Sequence, residues 1–320
     1  MNDPHALSLE ENKRRQRALK RSRLFKENMT LFLLALPGLF FLILFSYVPM
    51  GGIIIAFKKY VPLKGLLGSK WVGLKNFEFF FKSQDALRTI RNTLMYSSMF
   101  LVLDLILGVL MALLLYHLRS RRALKVYHTI ILLPRFLSII IISFIVYAVL
   151  SPSYGVLNRV IAAFGGERIQ WYSEPRYWPA ILTIVHCWQI VGSGCLYYYA
   201  ALMAVDESLF EAATIDGANT IQKDWYVSIP SLIPIMVIMT ILGIGHLFSG
   251  DMGLFYQVPK NQGILYETTD IINTYTYRAM LAGTLEKSAA VGLFQSLIGL
   301  ILVLGTNAIV RKISPEHSMF

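Results

Sequence analysis

Two ionisable residues sit in long apolar runs that hold no other charge: Asp104 within residues 92–117 and Arg135 within residues 126–150. At membrane depth an ionised side chain costs about 2.5–3.5 kcal/mol on insertion scales, so each must face protein or water. Either they pair with each other, as groups on consecutive helices, or with a second subunit, or they line a solute path. Pairing or subunit contact is the weightier reading. His186 and His246 are isolated among apolar neighbours and read as satisfied interior groups, since no metal-ligand spacing accompanies them. Cys187 and Cys195, eight residues apart on one helix, are separated by about 12 Å along its axis. That is too far for a disulfide. These scattered groups do not form a nucleophile, base and orienting residue in sequence, which disfavours a membrane-embedded enzyme. No G-x-x-x-x-G-K-[ST] phosphate loop is present.

A different constellation lies at 209–230, "LFEAATIDGANTIQKDWYVSIP", between two apolar runs. Phe210, Ala213, Thr214 and Gly217 share one helical face, and three of the four are small. A small-residue face admits a close partner surface. Gly217 is a poor helix former suited to a break. Asp216 and Asn219 flank that break as caps for the helix beyond it, and Pro230 fits the first turn of the next apolar span. The expected element is helix, break, helix, held at a membrane surface.

The elements that position these residues are set by composition. Hydrophobic residues make up 55% and charged residues 15%, against about 25% charged in an average soluble domain. A membrane span needs about 20 apolar residues. Six stretches qualify: 31–57, 92–117, 126–150, 177–205, 225–250 and 288–310. The chain therefore reads as an all-α membrane protein of six transmembrane helices. Its organisation is a basic N-terminal segment 1–29, a first span with its following loop over 30–91, a five-helix core over 92–310 containing the polar loop 206–228, and a tail 311–320. "KRRQRALKRSRLFK" precedes the first span without a cleavage site, so it reads as an anchor and not a removed signal. Basic residues divide almost evenly between the two sides, 15 against 14. Orientation therefore rests on the first span and on "LRSRRALK" at 118–125, which place both termini in the cytoplasm. The net charge of +11 comes largely from such flanks and implies no nucleic-acid partner. Of the outer loops, 58–91 mixes aromatic and basic residues and is expected to lie partly along the interface.

"EAATIDGA" at 211–218, followed by "SIP" at 228–230, resembles the signature loop of the membrane subunits of binding-protein-dependent ABC importers. Glu211, Ala212, Ala213, Asp216, Gly217, Ala218 and Pro230 each match that pattern. Asp224 departs from it, standing where the family usually has an apolar or aromatic residue. "WVGLKNFEFFF", "LLPRFLS", "TTDIINTYTYRAML" and "SAAVGLFQSLIGLILVL" are similar to the carbohydrate branch, near the maltose-type and complex-polysaccharide-type permeases.

This resemblance implies the type I ABC importer transmembrane fold in a bacterial plasma membrane. The chain would be a permease subunit, not an enzyme. It would pair with a second homologous permease as a heterodimer, with an ATP-binding cassette ATPase dimer below and an extracytoplasmic solute-binding protein delivering a saccharide. ATP and magnesium would be bound by the ATPase, and the chain itself would hold no cofactor. The loop would dock in a cleft of the ATPase, with Glu211 meeting a basic residue there. Possible substrate-pathway residues are Asp104, Arg135, Trp188, Tyr197 and Asp251, and Arg135 would suit an acidic sugar. Tyr198 and Tyr199 are further stacking candidates, although successive helical residues point different ways. Asp270, Asn273, Tyr275 and Tyr277 in the outer loop 251–287 offer hydrogen bonds to sugar or binding protein, or simply to water. A permease for a non-sugar solute is the nearest alternative. A secondary transporter would more often show two similar halves with broken helices, and no such duplication is evident.

Overall fold

The computed structural model describes residues 28–29 and 31–313. The basic stretch at 13–26 and the tail beyond residue 313 lie outside the described residues. Among the described residues five helices are long and apolar enough to cross a membrane, and a bent helix pair makes a sixth crossing if it counts as one span.

The first crossing, α1 (Leu31–Phe57), turns its apolar side chains outward, as expected where lipid is the solvent. A widened π turn at Ile43–Tyr47 stands just before Pro49. The same device recurs at Asp224–Ser228 before Pro230, where the Ile229 N–H reaches back five residues to the Asp224 carbonyl. In an α-helix the proline ring would collide with the carbonyl four residues earlier, and the wider turn relieves that contact. After α1 comes a short hairpin of β1 (Lys58–Lys59) and β2 (Lys70–Trp71), pairing Lys58 with Trp71. The Asn76 amide on α2 (Lys75–Lys82) ties the hairpin down by donating to the carbonyls of Ala56 and Lys58 at 2.8 and 2.9 Å.

The second crossing, α3 (Gln84–Tyr116), begins two turns before the expected residue 92, because Ser83 caps it by accepting from the Ala86 N–H. The expected third crossing is broken. It consists of α4 (Arg121–Phe136) and α5 (Ile139–Leu150), bent by 97°. Pro134 removes a hydrogen bond from the last turn of α4, and the Ser138 hydroxyl caps the new helix at the Ile140 N–H. Arg121 to Lys125, expected in a loop, form the first turns of α4.

Next come α6 (Val156–Ala163), α7 (Trp178–Leu202), the short surface helix α8 (Glu207–Ile215) and the long α9 (Thr220–Gly245). The short helices α10 (Met252–Gln257) and α11 (Ile272–Leu281), with a single turn at Tyr266–Thr269 between them, precede the last crossing, α12 (Leu285–Ile313). The centre of the bundle is α3 packed along α7. At one end Tyr96, Phe100, Ile142, Trp178 and Phe255 form a cluster; at the other, Ala112, Leu115, Tyr198, Leu202 and Leu232 form a second. Across Gly192 the backbones of α4 and α7 nearly touch. A Cβ there would lie 2.1 Å from the Ile131 carbonyl oxygen, so only glycine fits.

Candidate functional site

The expected helix, break, helix element is present at 206–228. Asp206 starts α8 by accepting from the Ser208 N–H at 3.0 Å, and that hydrogen bond lowers its pKa. At the other end Gly217 takes φ +79°, while the Ala218 N–H reaches the Ala213 carbonyl at 2.9 Å. This closes the last turn in a Schellman-type cap, a conformation that favours glycine. Asn219 then opens α9 with a reciprocal capping box: its side chain accepts from the Gln222 N–H, and the Gln222 side chain accepts from the Asn219 N–H. Asp216 does not share that role. It is the C-cap of α8, held through its own N–H to the Ala212 carbonyl.

Glu211 and Ala212 are exposed, Ala213 and Ala218 partly so, and Pro230 sits in the first turn after the π segment. Leu209 and Ile215 are also exposed, at 51% and 86%. The element is a short, capped helix presenting carboxylates and apolar side chains at one end of the bundle. Asp224, the residue that departs from the family pattern, lies within 2.8 and 2.9 Å of His117 Nε2 and accepts from the Ser228 hydroxyl at 3.1 Å.

The second candidate is a pair of open cavities along α3, of about 210 and 230 Å³, which share Leu101, Asp104 and Gly243. His186 and Asp251 line the first; Arg135, Tyr197 and Tyr198 line the second. Asp104 does not form an ion pair with Arg135. Its carboxylate accepts from His186 Nε2 at 3.0 Å, and the His186 ring stacks on Phe100 with centroids 3.7 Å apart. A helix period cannot reveal that pair, because its members are 82 residues apart on two crossings. Arg135 is exposed and forms no ion pair among the described residues. Asp251 also caps α10 by accepting from the Leu254 N–H at 3.1 Å. Trp188 lies elsewhere, in an apolar groove with Ile145, Val149 and Ile184. Tyr199 packs edge-on against His128, and Tyr198 is buried. His246 is exposed and lines the first cavity, so it is not the interior group expected.

The loop 251–287 is folded down against α3 around residues 267–274. Asp270 is fully buried between Arg88 at 2.9 Å and Arg278 at 2.7 Å, and it accepts from the Thr274 hydroxyl at 2.8 Å. Asn92 on α3 donates to the Glu267 and Asp270 carbonyls, and the Tyr96 hydroxyl donates to the Thr268 carbonyl. The Asn273 side chain bridges the Gly250 carbonyl and Gln295. Asp270 and Asn273 are therefore committed to internal partners and are not free for ligand. Tyr275 packs on Phe80 and Tyr277 on Tyr256.

Residues 104–315 match the family described as "binding-protein-dependent transport system inner membrane component". The chain belongs to that family. It is a multi-pass, inner-membrane transport subunit and not itself an enzyme. Among its relatives, LplB of Bacillus subtilis is 33% identical over 91% of either chain. The polygalacturonan/rhamnogalacturonan transport system permease YteP of the same organism is 34% identical over 89% of either chain. Among solved structures, a bacterial ABC transporter involved in import of the acidic polysaccharide alginate superposes with a TM-score of 0.83 at 29% identity, covering 92% of this chain and 99% of that one. The alginate transporter in complex with an alginate pentasaccharide-bound periplasmic protein gives 0.82 at 30% identity, covering 91% and 97%. These matches exclude the secondary-transporter and membrane-enzyme readings.

Proposed function

We propose that this permease is one half of a heterodimeric, ATP-driven importer of an acidic oligosaccharide delivered by an extracytoplasmic binding protein. Both termini face the cytoplasm. Residues 206–224 dock on a separate ATPase dimer, which binds the ATP and magnesium. Glu211 meets a basic residue there and Gly217 sets the bend.

The observation that carries the cargo assignment is Arg135: a guanidinium exposed in a membrane cavity without an ion-pair partner among the described residues. Such a group is expensive unless it serves a solute or a subunit. A guanidinium matches a carboxylate in bidentate geometry, and a uronate unit brings one carboxylate per sugar. The names of the relatives, polygalacturonan and alginate among them, support the same class. Tyr197 beside Arg135 offers a ring face for a sugar. Asp104, hydrogen-bonded to His186, keeps the adjoining cavity polar.

The test is uptake of labelled trigalacturonate by native cells carrying wild-type or Arg135→Gln chain. Wild-type uptake, reduced about tenfold at low substrate in the variant, is expected for loss of one charge-assisted contact. No uptake of the uronate by wild type, with a neutral trisaccharide transported instead, would overturn the cargo assignment. Import of a small phosphate ester would favour an anionic non-sugar cargo, since sn-glycerol-3-phosphate permeases are 26–27% identical relatives.

A further inference from the structure

The last turn of α3 touches the 206–228 element on both sides of its break. On one side the Tyr116 ring lies 5.6 Å from the ring of Phe210 in α8. On the other, His117 Nε2 donates to the Asp224 carboxylate at 2.8 Å, beyond Gly217 and within the π turn of α9. The hydroxyl of Ser228 fixes the same carboxylate at 3.1 Å. Gly217, at φ +79°, is the soft point between these two contacts. Unbraced, a push on α8 would be taken up by rotation there. α9 carries Thr240 and Gly243 into the cavity that also holds Arg135 and Asp104.

We propose that His117 and Asp224 form a coupling brace: with Tyr116 against Phe210, the hydrogen bond locks α8 and the start of α9 to the end of α3. Displacement of α8 is then delivered to α9 and the cavity instead of being absorbed at Gly217. His117 and Asp224 are positioning residues, acting on the cavity through α9. The inference rests on the docking of residues 206–224 proposed above.

The reporter is Thr240→Cys, with Cys187 and Cys195 replaced by alanine, in complexes purified through a tag on this chain. Its maleimide reaction rate is measured with and without MgATP and orthovanadate. The parent should show a rate change of about fivefold, within the usual span of allosteric coupling. His117→Ala and Asp224→Ala should each abolish that change with the ATPase still co-purifying. The exchanged pair, His117→Asp with Asp224→His, should restore it. An undiminished response in the single variants, or an exchanged pair no better than either, would overturn the brace. Single variants that lose the ATPase altogether would show a structural contact only, which also overturns it. Absence of any ATPase from the parent complex would instead sink the docking proposal, and the brace with it.

Discussion

Asp270 and Asp104 show how one residue type takes two roles according to its surroundings. Asp270 is inaccessible to water and held by two arginines and a hydroxyl, so the loop after α10 is locked to α3 through charge. Removing one partner from such a buried set leaves uncompensated charge, typically at 3–5 kcal/mol. Asp270→Ala should accordingly lower the thermal unfolding midpoint of the detergent-solubilised chain sharply, and an unchanged midpoint would show that the network contributes little. Asp104 has a side chain 35% exposed to a cavity and, among the described residues, one partner, His186. Asp104→Asn keeps a polar group in place, so the midpoint should move by less than about 1 kcal/mol equivalent while uptake changes. A large stability loss without a transport effect would make Asp104 structural.

At the scale of the element, α8 owes its form to its ends more than to its packing, since none of its residues is fully buried. Gly217 adopts a backbone conformation that costs most L-residues about 1–2 kcal/mol but that asparagine tolerates. Gly217→Asn should therefore retain the ATPase in a pull-down, whereas Gly217→Val should lose most of it; equal retention would remove Gly217 from the docking geometry. The Asp206 cap has a definite pH sign. Its hydrogen bonds to Ser208 lower the pKa in the folded chain, so the cap's contribution is complete above the ordinary carboxylate pKa and is lost as pH falls through the lowered value. Protease sensitivity at 206–216 should stay constant from pH 8 to 6 and rise only in stronger acid. A rise near neutrality would point to a different group.

For the whole molecule, counting α4 and α5 as one crossing puts the hairpin after α1 and the α8 element on opposite faces of the membrane. Leu67 is 91% exposed in the first and Ile221 78% exposed beside the second. Leu67→Cys should react with an impermeant maleimide added outside intact cells, and Ile221→Cys only after permeabilisation. The reverse pattern would invert the proposed topology. The 97° bend between α4 and α5 gives the bundle a broken third crossing, and Arg135 sits one residue after Pro134 in the last turn before that break. The break thus exposes the guanidinium to a cavity instead of burying it against a neighbouring helix.

Hydropathy, caps and small-residue spacing are local properties, and they made the crossings and the 206–228 element readable in advance. Length and apolarity alone decide whether a helix can span, and a glycine followed by an Asn–Gln capping box decides where it must break. The partners of the polar side chains were not readable in this way. His186 for Asp104, two arginines for Asp270 and His117 for Asp224 come from helices 82, 182 and 107 residues away at the longest reach. Pairings at that separation depend on the register and rotation of packed helices, set by contacts such as that of Gly192 with Ile131, and no periodicity within one segment encodes them.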